Sequence, residues 1–233
     1  MARGGKNHRK IANIVPAGTI LSVKGALEKV KSLAYAKFDE SVDLDVVLGI
    51  DASKGDQAIR SAVQLPHGNG KKMRVVVFAK GDYAEAAKQA GADFVGSQDL
   101  VDKVLTGWVD FEVAIATPDM MGLVGQLGKI LGSRGLLPNK KDDTVTFDVA
   151  AAVKSFKAGR ARFKNDKQGN VHFSIGKVSF TADRLYDNFV SFVRALVQAK
   201  PVAAKGKFLK KVTVTSTMGV GLSVNLEEVS ALL

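Results

Sequence analysis

Apolar residues follow two different patterns along this chain. From residue 73 to about 156, short unbroken apolar runs alternate with amphipathic stretches. MRVVVFA (73–79) is continuous and β-branched, which predicts a strand buried on both faces of a parallel sheet. GDYAEAAKQAGA (81–92) predicts a helix stopped at Gly91, and ADFVG (92–96) a short strand. Ser97 is placed to cap a helix running through Leu105 and ending at Gly107. FEVAIAT (111–117) predicts a third buried strand, with Pro118-Asp119 opening the next helix. Strands alternating with helices in this way predict an α/β layered domain.

Outside that span, apolar and polar positions alternate one by one. Val42, Leu44, Val46 and Leu48 fall on one face of a predicted strand, and Ser41, Asp43 and Asp45 on the other. Ile59, Val63 and Leu65 repeat the pattern, and it returns in RARFK (160–164), VHFSIGKVSF (171–180) and FLKKVTVTST (208–217). Such alternation predicts half-exposed strands of an antiparallel sheet with one face covered. The cover comes from two amphipathic helices. Val23, Ala26, Leu27, Val30, Leu33 and Ala34 recur at helical spacing over 22–36, as do Leu185, Phe189, Phe192 and Leu196 over 182–199. The economical fold is α/β (α+β) with two domains. Residues 1–67 and 160–233 make a split antiparallel-sheet-plus-helices domain, and residues 68–159 an inserted α/β domain. The crossings fall at the turn-rich segments 66–70 and 158–159. Two domains folding one after the other are the competing arrangement.

Charge separates the two patterns further. The chain carries 34 Lys+Arg against 23 Asp+Glu, a formal net charge of +11. Residues 68–159 hold 12 basic and 11 acidic residues, the flanks together 22 and 12. An excess confined to one domain fits a polyanion-binding face better than general solubility. The absence of cysteine excludes disulfides, thiolate zinc sites, iron–sulfur clusters and cysteine nucleophiles. His8, His67 and His172 are too far apart for zinc-peptidase spacing, so no metal site is expected. Apolar runs such as 75–79 fall far short of the roughly 20 residues that span a bilayer. Asn13, Pro16 and Gly18 break the early apolar stretch, which argues against a secretory signal. A cytoplasmic protein with no membrane partner is expected.

Three constellations carry candidate binding chemistry. Arg160, Arg162 and Lys164 project from one face if 160–164 is a strand, beside the turn Asn165-Asp166-Lys167-Gln168-Gly169. Cations beside amides suit a phosphate backbone, and a solvated sheet face reads equally well. Lys211, Thr213, Thr215 and Thr217 also recur at every second position, followed by Met218-Gly219-Val220-Gly221. Their hydroxyls suit phosphate or ribose, although threonine is an ordinary strand residue. Lys37-Phe38 ends the first amphipathic helix. An exposed aromatic there would stack on an unpaired base, whereas a buried one would be a core plug. Asp142-Asp143 reads as a solvated acidic pair. The Gly-rich run 122–141 lacks G-x-G-x-x-G, and Gly128-Lys129 is followed by Ile130 where a phosphate loop has Ser or Thr. No motif with a catalytic mechanism is present and no cofactor is expected. A nucleotide-dependent enzyme built on the inserted domain and a general RNA chaperone are the alternatives.

The chain resembles the bacterial large-subunit ribosomal protein one family, the L-one family of the ribosome's mobile stalk. LAYAKFDESVDLDVVLGID (33–51), QLPHGNGK (64–71), GKILGSRGLLPNKK (128–141), ARFKNDKQGNVHFSIGKVSF (161–180) and KFLKKVTVTSTMGVG (207–221) carry the resemblance, in order, across about residues 22–226. It implies a split domain that binds large-subunit ribosomal RNA at a junction, a Rossmann-like inserted domain contributing less affinity, and no enzymatic activity. By matching motif positions it implies RNA contacts at Lys37, Phe38 and Ser41. It implies flanking contacts at Arg162, Lys164, Asn165 and Lys167, and the other half of the surface at Thr215, Thr217, Met218 and Gly219. It further implies a place in the large ribosomal subunit, a stalk that moves with deacylated tRNA at the exit site, and repression of the protein's own operon messenger. The free protein is expected to be a monomer. Ser133 and Lys140 stand where the family pattern has prolines, and the first twenty residues match poorly.

Overall fold

The computed structural model describes residues 5, 11, 14–16 and 18–232. The predicted features of the N-terminal arm, including His8, lie largely outside them. In chain order the elements are β1 (Ile20–Leu21), α1 (Val23–Leu33), β2 (Ser41–Leu48), β3 (Arg60–Gln64), β4 (Val75–Phe78), α2 (Asp82–Gln89), β5 (Phe94–Gly96), α3 (Gln98–Leu105), β6 (Val113–Ala116), α4 (Met121–Val124), α5 (Gly128–Ser133), α6 (Val149–Lys157), β7 (Arg160–Lys164), β8 (Asn170–Lys177), α7 (Ala182–Gln198), β9 (Leu209–Ser216), β10 (Leu222–Val224) and α8 (Leu226–Ala231). They form two compact units, one of Met1–Gly70 with Ala161–Leu233 and the other of Lys71–Arg160.

The first unit contains a five-stranded sheet ordered β1-β10-β9-β2-β8. Strand β2 lies between β9 and β8 and is antiparallel to both, with Leu44 opposite Phe173 on β8 and Val214 on β9. Its even-numbered residues Val42, Leu44, Val46 and Leu48 are buried, and its odd-numbered ones face outward, half-exposed. The buried face packs on Val23, Ala26, Leu27 and Val30 of α1 and on Leu185, Phe189, Phe192, Val193 and Leu196 of α7. Phe173 stacks on Phe192 at 4.2 Å between centroids, and Phe163 meets Phe192 edge-on at 5.4 Å. Each such side chain contributes about 1.5–3 kcal/mol through burial. Asn188 is polar yet buried, and each of its polar atoms is satisfied. Its Oδ1 accepts from the His67 amide, and its Nδ2 donates to Ile175 and Gly68 carbonyls at 2.8 Å.

Two details depart from the expected pattern. Strands β3 and β7 form their own two-stranded sheet instead of joining the large one. Helix α7 packs against β3, so Ile59, Val63 and Leu65 bury on a helix and not on a strand neighbour. Helix α1 ends at Leu33, short of residue 36, because the amides of Tyr35 and Ala36 donate to the Glu40 carboxylate and not to helical carbonyls.

The second unit has three layers around a parallel sheet ordered β5-β4-β6, extended by a bridge from Ala116 to Val145. Alternate residues of β4 and β6 face opposite cores. Val76, Phe78, Ala114 and Ala116 join α3, α4 and α5, while Val75, Val77, Val113 and Ile115 join α2 and α6. The Gly-rich run 122–141 is not a phosphate loop. It folds into short helical pieces that bury Val124, Leu127 and Leu131. Gly122, Gly125 and Gly128 disfavour one continuous helix there. Ser133, at a family proline position, ends α5 and donates to the Ile130 carbonyl at 3.0 Å, while Lys140 lies in a short 3₁₀ turn. Ser97 precedes α3 without a side-chain cap bond. Asp142 is buried, not solvated as its sequence context suggests, and Asp143 pairs with Arg160. No helix among the described residues is long and apolar enough to cross a membrane.

Candidate nucleic-acid interface

The sheet register places the start of β2 beside the end of β9, with Val42 opposite Ser216. Two chain segments emerge there side by side, the loop 34–40 before β2 and the turn 217–219 after β9. Ser41 and Thr217 lock them together. The Ser41 amide donates to Thr217 Oγ1 at 2.9 Å, and the Thr217 amide donates back to the Ser41 carbonyl at 3.1 Å.

Beneath this corner lies Glu40, only 1% exposed. Its Oε1 accepts the amides of Tyr35 (3.2 Å) and Ala36 (2.9 Å), and its Oε2 accepts the Met218 amide at 3.0 Å. Burial pushes its pKa up, but the Ser216 hydroxyl and the three backbone amides outweigh that effect and hold it below the usual value. The ionised carboxylate therefore fastens both segments at once. Gly219 completes the turn because a Cβ there would collide with the Ser216 hydroxyl, which itself bonds Glu40.

The clasp leaves Phe38 and Met218 outside, with Tyr35 of the same loop also 41% exposed. Phe38 is 57% exposed and Met218 50% exposed. Phe38 is thus no core plug. Lys37 is exposed beside it. Lys177 contributes a further ammonium, donating to Ser41 Oγ at 3.0 Å and to the Asp39 carbonyl at 3.3 Å. Asp39 in turn accepts from the Ser179 amide and hydroxyl, tying the loop to the end of β8. Thr215 lies on the outward face one pair further along, half-buried, opposite Asp43. Lys37, Phe38, Ser41, Thr215, Thr217, Met218 and Gly219 are therefore brought to one end of the sheet.

The remaining candidates are elsewhere. Asn170 pairs with Val47, so the turn 165–169 lies at the far end of β2, about 20 Å from Ser41 at the usual strand rise. Lys164 and Lys167 are exposed there, and Arg162 is half-buried. Asn165 is used internally: its Oδ1 accepts the Ile59 amide at 2.7 Å and its Nδ2 donates to the Asp166 carbonyl at 2.8 Å. Arg160 does not join a row of free cations, since it pairs with Asp143 in the second unit. Between the two ends, His172 Nδ1 lies 2.6 Å from Asp45 and its Nε2 3.6 Å from Asp166. The hydrogen bond to Asp45, with both carboxylates nearby, raises the His172 pKa against a smaller opposing effect of burial.

Sequence reasoning missed Glu40, Lys177 and Asp39. Glu40 did leave a signal: it continues the even-numbered buried phase of Val42, Leu44 and Val46. A carboxylate on a buried phase must find donors. Lys177 and Asp39 left none, because their partners lie more than 130 residues away.

A profile of the Ribosomal protein L1p/L10e family matches residues 30–220. The match begins within α1 and ends just past the Met218 turn, so it spans both segments that Glu40 joins as well as the whole second unit. With most of the sequence matched, the chain belongs to the Ribosomal protein L1p/L10e family and is a structural, ribosomal-RNA-binding protein of the large ribosomal subunit.

Proposed function

We propose that the corner formed by Lys37, Phe38, Ser41, Thr215, Thr217, Met218 and Gly219 is the surface that grips a junction of large-subunit ribosomal RNA. The observation that carries this reading is the Glu40 clasp. A buried, ionised carboxylate stabilises two exposed apolar side chains, Phe38 and Met218, that gain nothing for the fold by being exposed. Phe38 offers a face to an unstacked base, Lys37 and Lys177 offer charge to phosphate, and the Thr215 and Thr217 hydroxyls offer partners to ribose. Shape recognition of folded RNA follows, because the Glu40 clasp and the Ser41–Thr217 pair fix the backbone from which these side chains project. The Arg162, Lys164 and Lys167 end supplies flanking contacts, with Asn165 holding the turn in shape.

Through that grip the protein builds the mobile stalk at the tRNA exit site, where it accompanies release of deacylated tRNA. The same surface, meeting a similar shape in its own operon messenger, represses translation. The split unit is the RNA-binding domain and the inserted unit an accessory. Fluorescence anisotropy with a stalk-RNA fragment tests the surface. Phe38→Ala and Met218→Ala are each expected to cost about 1–3 kcal/mol of affinity without lowering the melting temperature. Wild-type affinity in both variants would place the grip elsewhere.

A further inference from the structure

The far end of the large sheet carries a second concentration of charge, made by segments distant in sequence. Val47 of β2 lies opposite both Asn170 of β8 and Lys211 of β9, so the turn 165–169 and the approach to β9 flank the same strand end. The β2–β9 register slips between Val47 and Leu48, with Leu48 opposite Leu209. Ordinary alternation would bury one of two successive strand residues, but here both Lys210 and Lys211 are exposed. The segment before β9 is held in place and does not hang free. The Gly49 amide donates to the Phe208 carbonyl at 2.7 Å, a Cβ on Gly49 would strike the Lys207 carbonyl, and Ala204 and Phe208 are buried.

Six exposed lysines converge there: Lys164, Lys167, Lys205, Lys207, Lys210 and Lys211. Among the described residues no ion pair involves any of them. Asp166 has its carboxylate committed to the amides of Gln168 and Asn170, at 2.8 and 2.7 Å, and to the Asn170 side chain. In the adjoining loop, Asp51 pairs with Lys54, which leaves Asp56 as the other exposed acid. The first unit holds 21 basic and 12 acidic residues, so the segments 164–167 and 205–211, with six basic and one acidic, account for more than half of its excess. Like charges gathered without partners destabilise the free protein, and a polyanion relieves that repulsion.

We propose that this lysine end is a second RNA contact, in which Lys205, Lys207, Lys210 and Lys211 neutralise backbone phosphates of the same RNA that the Phe38–Met218 corner grips. The proposal rests on the reading of that corner as the RNA grip. About 20 Å separates the two ends, a span that covers several phosphates of one strand. Among the described residues the lysine end exposes Val202 but no aromatic side chain on which a base could stack, so it reads charge and not base identity. The corner fixes the register of the RNA, and the lysines add affinity that depends on salt.

The test compares the full-length protein with a Lys205→Gln/Lys207→Gln/Lys210→Gln/Lys211→Gln variant on one stalk-RNA fragment containing the junction, across a series of KCl concentrations. The plot of log affinity against log salt is expected to become shallower by about 3, because each of the four phosphates left unneutralised removes about 0.7–0.9 from the slope. Phe38→Ala is expected to lower affinity with the slope unchanged. A quadruple variant with wild-type slope overturns the proposal. If the slope falls but Phe38→Ala has no effect, the lysine contact stands and the assignment of the corner fails.

Discussion

Replacing Glu40 with Gln tests the clasp most directly, because it changes the chemistry of one buried position and almost none of its shape. In the wild type, Oε1 serves Tyr35 and Ala36 while Oε2 serves Met218, and the Ser216 hydroxyl also bonds the carboxylate. Glutamine retains one oxygen. Keeping it on the two loop amides turns the new NH₂ toward the Met218 amide, donor against donor, and the 217–219 turn loses its tether. Hydrogen bonds to a charged group contribute about 1.5–3 kcal/mol, which corresponds to roughly 10- to 100-fold in an equilibrium. RNA affinity falls only as far as the turn actually leaves its binding geometry, so about tenfold is expected and about 100-fold is the ceiling. Anisotropy titration measures the loss, and circular dichroism establishes that the sheet persists. A double-mutant cycle sharpens the result. If Glu40 acts by placing Met218, Glu40→Gln costs less in a Met218→Ala background, with a coupling of at least about 0.5 kcal/mol. A folded Glu40→Gln protein that binds as the wild type does would refute the clasp as the organiser of the site.

Two further expectations concern pH and domain structure. The raised pKa of His172 means that its charged form is favoured in the fold, so its contribution is complete below its unfolded value of about 6.5 and disappears as pH rises through the folded value. His172→Gln is therefore expected to lower the melting temperature at pH 5.5 and to match the wild type by pH 9; a gap that stays constant over this range would show that the Asp45 and Asp166 pairing is not the cause. None of the buried residues that form the first unit's core falls within 71–160, so removing that span and joining Gly70 to Ala161 is expected to leave a folded protein with most of its RNA affinity. A folded deletion protein that no longer binds stalk RNA would assign the grip to the inserted unit.

Much of the architecture was legible from local chemistry. Period-two alternation at Val42–Leu48 forces one face inward whatever strand lies alongside, because one face of each strand must leave water. The unbroken apolar run at 75–78 is likewise buried on both faces. Capping was less legible: Ser97, the residue the sequence offered as a cap, makes no side-chain cap bond, while Ser22 accepts the Gly25 amide and Thr181 that of Arg184. Charge bookkeeping also located the basic unit without coordinates, since counting needs no geometry.

What the sequence could not decide was which strand ends meet. Phe38 and Met218 are 180 residues apart, and on residue chemistry alone each had an ordinary alternative role. Only the β2–β9 register brings them to one corner, and only tertiary packing turns Glu40 from an acid in a loop into the carboxylate that fastens both. The β2–β8 register sent Lys164 and Lys167 to the opposite end of β2, the end at which Lys210 and Lys211 enter β9. Periodicity specifies the face on which a side chain lies, because that depends on the two or three residues beside it. Neighbours across a sheet depend on pairing between remote segments, which is settled by the burial and hydrogen bonding of the whole unit.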